Sequence, residues 1–143
     1  MVVRLSGGMP FGRPARTEGA AMVREDHRSE IGLKRVYDAP EPGDGVRVLV
    51  DRLWPRGVRK DALKMDLWLK DVAPSPDLRH WFGHDPVRWE EFQARYRREL
   101  EAGNPEIAQL GALAGREKVT LLYAAHDLVH NHALVLRDFL RGA

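Results

Sequence analysis

The sequence predicts a single α/β domain in which helices pack on a small, mainly parallel sheet. Two apolar stretches rich in β-branched residues, 46–51 and 119–125, are typical of strands that are buried on both faces. Four other segments begin with a helix-capping residue and continue with apolar residues at helical spacing. With 143 residues, of which 43% are hydrophobic and 31% charged, the chain has enough material for one core.

The strands are predicted in chain order from local pattern. Residues 33–38 form a short strand candidate, and the Pro- and Gly-rich segment 39–45 after it is a turn. The strand over 46–51 ends before Pro55, because proline cannot continue a central strand. Residues 63–70 alternate apolar and polar side chains with a period of two, which predicts a further strand.

The helices are predicted from their capping residues. Ser75, Asp85 and Asn104 each precede a proline, which is the pattern of an N-cap followed by the first helical position. The first helix continues to Phe82, and the third ends near Gly115. The second helix has one apolar face, formed by Trp89, Phe92, Tyr96 and Leu100. The last helix is predicted from about Asn131 to Leu140, with Ala133, Leu136 and Leu140 facing inward.

The domain is predicted to span residues 31–143, after a disordered N-terminal tail of residues 1–30. Within this tail, residues 6–28 combine glycines, prolines and scattered charges without any helical or strand period. The alternative is an Arg-bearing arm that contacts a partner, but acidic residues offset most of its charge.

Composition excludes several kinds of chemistry. The chain has no Cys, which removes disulfides, thiolate catalysis and Cys-based metal sites. The 23 basic and 21 acidic residues leave a net charge of +2, too small for a protein that coats nucleic acid non-specifically. No apolar run is long enough for a signal peptide or a membrane span, so we expect a cytoplasmic protein that does not contact membranes.

Chemistry-bearing side chains follow both central strands at their carboxyl ends, where open α/β sheets bind ligands. We expect Asp51, His126 and Asp127 to be the catalytic residues if this is an enzyme, with His126 or His130 as the general acid or base. Arginine and the N-terminus of a helix both favour anions, which predicts a pocket for phosphate or carboxylate groups. The predicted ligand-binding residues are Arg52, Trp54, Arg56, His84, His130 and Asn131.

Each of these residues also has a purely structural interpretation. Asp51 can pair with a neighbouring arginine, Asp127 and Asn131 are residue types that cap helices, and Trp54 can cover the core. His126 and His130 have the i, i+4 spacing of two zinc ligands, but without the Glu of a His-Glu-x-x-His motif no metal site is predicted, and no cofactor. The alternative function is nucleic-acid binding, because the four basic residues within 52–60 could contact phosphates.

Several motifs in the same order resemble one protein family. They are Val50-Asp51-Arg52-Leu53-Trp54-Pro55-Arg56-Gly57, Ala73-Pro74-Ser75, Trp81-Phe82-Gly83-His84-Asp85 and Thr120-Leu121-Leu122-Tyr123-Ala124-Ala125. Over about residues 33–141 the chain resembles the YeaO-like branch of the domain-of-unknown-function family 488. The resemblance implies a small bacterial α/β protein and no particular activity. The wider family looks like it has Cys-His-Arg where this chain has His130-Asn131-His132.

Three functions therefore follow from the sequence. The first is an anion-accepting protein whose partner is a small anionic molecule, with hydrolysis or group transfer as its reaction if it is an enzyme. The second is a nucleic-acid-binding module that uses Arg52, Arg56, Arg59 and Lys60. The third is a non-catalytic interaction protein. The oligomeric state is not predicted.

Overall fold

The structure, a computed structural model, describes residues 26–142. The greater part of the predicted tail, residues 1–25, lies outside the described residues, as does Ala143. The last residues of that tail are described: Arg28–Glu30 form a single 3₁₀ turn. The backbone N–H of His27 donates to the carbonyl oxygen of Gly115, which ties this turn to the domain.

The described residues form a four-stranded sheet in which every pairing is parallel. The strands are β1 (Gly32–Arg35), β2 (Val46–Leu49), β3 (Leu67–Trp68) and β4 (Val119–Tyr123), in the spatial order β1-β4-β2-β3. The two apolar stretches are the central strands β2 and β4, and β4 is buried along its whole length. The predicted α/β class and parallel sheet are confirmed.

The strands are shorter than their sequence patterns suggest. Of the predicted strand 63–70, only Leu67 and Trp68 pair with β2, so β3 is a two-residue edge strand. The alternation before it has a different cause, because Leu63 and Met65 pack in a loop against the sheet. A short edge strand leaves few backbone groups open to pairing with another chain.

Four helices follow from the capping residues that the sequence contains: α1 (Pro76–Phe82), α2 (Trp89–Ala102), α3 (Pro105–Arg116) and α4 (His132–Leu140). The side chains of Ser75, Asn104 and Asn131 each accept a hydrogen bond from a backbone N–H in the first turn. Asp85 caps a 3₁₀ turn, Pro86–Arg88, that leads directly into α2.

The two faces of the sheet are covered differently. Val48, Leu121 and the helices form the larger core, in which Phe92 and Tyr96 of α2 are fully buried. Leu49 and Leu122 point to the other face, which the loop around Trp54 covers instead of a helix. The Trp54 and Trp68 rings meet edge to face there, with 5.3 Å between their centres. No helix in the part of the chain that the structure describes is long and apolar enough to cross a membrane.

Candidate functional site

A largely buried carboxylate and a largely buried imidazole lie in contact at the carboxyl ends of β2 and β4. Asp51 Oδ1 is 3.4 Å from His132 Nε2, and each side chain is 16% exposed. Asp51 Oδ2 accepts a hydrogen bond from the backbone N–H of Ala124, at 3.1 Å, which fixes the carboxylate between the two strands. Asp51 Oδ1 has no hydrogen-bond partner within the described residues. The pair is therefore held in place while one carboxylate oxygen stays unsatisfied.

The hydrogen bonds of His132 fix the position of its proton. Nε2 lies 3.0 Å from the carbonyl oxygen of Val50, and because a carbonyl can only accept, Nε2 carries the proton. In the neutral ring this leaves Nδ1 as an acceptor. Burial lowers the pKa of His132, although the Asp51 carboxylate opposes this shift. The same burial raises the pKa of Asp51, against the opposing effect of His132.

Two further side chains, an arginine and a histidine, influence the pKa values of this pair. The charges of Arg79, on α1, and of His84 both lower the pKa of Asp51 and of His132. Arg79 is exposed, and its guanidinium makes no ion pair or hydrogen bond with any described residue. His84 has φ of +57°, in the left-handed region that few non-glycine residues adopt. Arg79 is thus a cation without an ion-pair partner among the described residues, and its charge favours the ionised form of Asp51.

The loop after β4 is organised by Asp127. Its Oδ1 accepts from the backbone N–H groups of Val129 and His130, and its Oδ2 lies 2.9 Å from His130 Nδ1. These hydrogen bonds lower the pKa of Asp127. The His130 ring packs edge-on against Trp89, with 5.4 Å between the ring centres. Asn131 caps α4 and donates to the carbonyl oxygen of Asp127.

Arg52 and Trp54 make their contacts with residues other than the Asp51–His132 pair. The Arg52 guanidinium donates to the carbonyl oxygens of Ala73 and Pro74 and pairs with Asp71, so it joins two loops. Trp54 packs on the opposite face of the sheet. To bind a ligand, Arg52 or Trp54 would have to give up these structural contacts.

Arg56 and His126 both lie on the exposed surface of this end of the sheet. Arg56 is in the loop after β2, and His126 Nδ1 is 3.3 Å from Arg35 Nη2. The catalytic roles of Asp51, His126 and Asp127 stay predictions.

Sequence reasoning missed Arg79 and the contact between His132 and Asp51. The sequence pattern gave no indication that the charge of Arg79 acts on this pair, because a helix as short as α1 has little periodicity. His132 did carry a usable signal. It is the first residue of α4, and the start of a helix that follows a central strand lies at the carboxyl edge.

The described residues contain a cleft elsewhere, of about 570 Å³, lined by Asp26, Arg28, Ser29 and Arg141. It lies beside the end of α4 and near Gly115, where α3 leads into β4, and hence toward the amino ends of the strands. No group of three or more His, Asp or Glu side chains within the described residues is arranged to hold a metal ion.

Fold and site together define the class: a small α/β protein with an all-parallel sheet and a polar cluster at the carboxyl edge of its central strands. The chain belongs to the family DUF488-N3i, described as the inactive DUF488-N3 subclade, whose sequence model matches residues 30–143. The predicted membership of the YeaO-like branch is confirmed by this match and by the relatives below.

Two relatives are similar along nearly their whole length. An uncharacterized protein of Mycobacterium tuberculosis (strain H37Rv) is 46% identical over 121 residues, which cover 85% of this chain and 99% of the relative. The uncharacterized protein YeaO of Escherichia coli (strain K12) is 46% identical over 112 residues, which cover 78% of this chain and 97% of YeaO. No solved structure matches the chain significantly.

Proposed function

We propose that this protein binds a small anion, with a phosphate or carboxylate group, at the carboxyl edge of β2 and β4 and does not turn it over. The observation that carries the proposal is the unpaired Arg79 guanidinium, whose charge reaches the buried Asp51–His132 pair. A guanidinium is a strong donor to phosphate and carboxylate oxygens, and His84 adds a second donor on the same side.

The state of the Asp51–His132 pair supports binding over catalysis. Asp51 Oδ1 has no hydrogen-bond partner among the residues that the structure describes, but it is buried against His132, and Oδ2 accepts from the backbone N–H of Ala124. Neither oxygen is therefore accessible to take a proton from a ligand in this conformation. General base catalysis requires the base to lie within hydrogen-bond distance of the reacting group. The description of the family as an inactive subclade points in the same direction.

Nucleic-acid binding receives less support from the same geometry. Of the four basic residues at 52–60, Arg52 points into the fold, Arg59 pairs with Asp61, and Lys60 lies over the Trp54 ring. Arg56 and Lys60 are the two members of this group without an ion-pair partner in the described part of the chain. We therefore expect oligonucleotide affinity to be weak, with a log–log salt slope shallower than about 2, since that slope reports the number of phosphates contacted. Fluorescence anisotropy between 50 and 200 mM salt measures it, and a much steeper slope would favour the nucleic-acid function.

The anion proposal is tested by thermal denaturation with inorganic phosphate at constant ionic strength. At a phosphate concentration ten times its Kd, the parent protein should gain about 1.4 kcal/mol, or roughly 5 °C in Tm. Arg79→Gln should reduce this shift to about 1–2 °C, because losing one charge-assisted hydrogen bond costs at least tenfold in affinity.

Arg116→Gln is the matched control, because Arg116 is also an exposed helical arginine but lies at the end of α3, toward the amino ends of the strands. Its Tm shift with phosphate should equal that of the parent. His84→Asn, which keeps a residue type that tolerates the left-handed region, should give an intermediate shift. Equal shifts for Arg79→Gln and Arg116→Gln would contradict the proposed site, and so would the absence of any shift with phosphate and with acetate.

A further inference from the structure

The exposed apolar side chains of the described residues gather at one end of the molecule. Five large hydrophobic side chains are more than half exposed: Tyr37 53%, Leu53 61%, Val87 91%, Leu128 63% and Val129 62%. Single exposed apolar residues scattered over a surface need no explanation, but a grouping of them marks a binding site.

Each of the five lies within two positions, along the sequence, of a residue that belongs to the carboxyl end of the sheet. Leu53 follows Asp51, and Leu128 and Val129 directly precede His130. Val87 precedes Trp89, whose ring contacts His130 at 5.4 Å and so joins the start of α2 to the loop after β4.

Tyr37 belongs to the same end of the sheet. It lies under the Arg35 guanidinium, 4.7 Å from the ring centre, and Arg35 donates to the carbonyl oxygens of Ala124 and Ala125. Four separate segments therefore each present an exposed apolar side chain at the same end of the sheet as Asp51 and His132.

We infer that the bound anion is amphipathic: an organic molecule with a carboxylate or phosphate head and an apolar body such as an alkyl chain. This inference rests on the proposed function and names the class of its ligand. The head would meet Arg79 and His84, while the body would lie against Leu53, Val87, Leu128 and Val129. Ligand sites in proteins commonly combine many apolar contacts with a few polar groups that fix orientation.

The arrangement favours such a ligand over a second copy of the chain. Protein–protein interfaces place apolar side chains at the centre and polar ones at the rim. Here each exposed hydrophobic residue lies within one position of a charged residue or a histidine, so that apolar and polar groups are interspersed instead.

The test is a series of n-alkyl carboxylates, namely acetate, butyrate, hexanoate and octanoate, each titrated into the full chain below its micelle concentration. Isothermal calorimetry should give a Kd that falls about two- to fourfold with each added methylene, fourfold being the limit for a fully buried one. The double variant Leu128→Ser, Val129→Ser should flatten this dependence and leave the affinity for acetate unchanged. Ala112→Ser, on the exposed side of α3, is the control and should follow the parent.

The outcomes separate the two proposals. If all four carboxylates bind equally and Arg79→Gln weakens each of them, the small-anion function stands and the amphipathic ligand is wrong. If neither phosphate nor any carboxylate binds, both proposals fail. Light scattering tests for self-association. If the parent protein is a dimer, the Leu128→Ser, Val129→Ser variant is a monomer, and the affinity for carboxylates is independent of their alkyl chain length, the exposed residues form a self-association surface. That result overturns the inference.

Discussion

Replacing Asp44 with Ala should destabilise the fold by about 3–5 kcal/mol, the cost of removing one partner from a buried ion pair. Asp44 and Arg47 are 6% and 8% exposed, and their side chains are in direct contact. Asp44 also accepts from Lys34 Nζ at 2.8 Å and from the backbone N–H of Glu41 at 3.0 Å. Without Asp44, the Arg47 guanidinium would keep one hydrogen bond, to the carbonyl oxygen of Lys64, and would be buried without a counter-charge.

The effect of Asp44 should depend on pH with a definite sign. The hydrogen bond from Lys34 is the main reason that the pKa of Asp44 falls from 3.8 to about 2. A carboxylate with a lowered pKa in the folded state stabilises above its unfolded pKa, and this stabilisation is lost as pH falls through the folded pKa. The destabilisation by Asp44→Ala should therefore be full at pH 5 and above and should shrink between pH 4 and pH 2.

Urea denaturation at a series of pH values measures this dependence. Asp61→Ala is the control, since Asp61 pairs with Arg59 on the surface, where the two side chains are 70% and 81% exposed. It should cost well under about 1 kcal/mol, because exposed ion pairs contribute little to stability. A penalty for Asp44→Ala no larger than that of Asp61→Ala would contradict the assigned role.

Much of the fold could be predicted from local sequence because its strongest signals are local. Asn104 and Asn131 cap helices as their positions predict, and the stretch 119–125 contains the fully buried central strand β4. The alternation at 63–70 was misleading, since packing of Leu63 against the sheet produces the same period as a strand does. A pattern records which side chains are buried and does not distinguish backbone pairing from loop packing.

The site was predictable in position but not in composition. The rule that ligands bind beyond strand carboxyl ends pointed to Asp51 and to the loop after β4, and the structure brings Asp51 into contact with Ala124 and His132 there. The contact of Asp51 with His132 depends on the rotation of α4, and the approach of Arg79 depends on how α1 packs. The Arg52 guanidinium donates instead to two loop carbonyl groups that are distant in sequence. Such tertiary choices leave no periodic signal.

Asp51→Asn should stabilise the protein at neutral pH, by about 1–3 kcal/mol, the order of the desolvation cost that the buried charge imposes. An asparagine has the same shape as a protonated aspartate, and its side-chain oxygen can still accept from the backbone N–H of Ala124. The substitution removes a buried charge whose Oδ1 has no hydrogen bond and whose pKa is raised by burial. A buried charge that destabilises the fold is typical of functional sites, where stability is given up for activity or binding.

The pH dependence distinguishes this explanation from a general effect of the substitution. Because the pKa of Asp51 is higher in the folded state, its charge destabilises the fold increasingly as pH rises above 3.8. The lowered pKa of His132 acts in the opposite direction, since the fold loses stability as pH falls below 6.5. The gain from Asp51→Asn should therefore be absent near pH 3 and complete at pH 8. In a double-mutant cycle with His132→Gln, the coupling energy should be largest between pH 3 and pH 8, where the ionisation of each group changes the pKa of the other. If Asp51→Asn raises the free energy of unfolding equally at pH 3 and pH 8, the effect comes from packing. If it lowers the free energy of unfolding at pH 8, the Asp51 carboxylate stabilises the fold through Arg79 and His84.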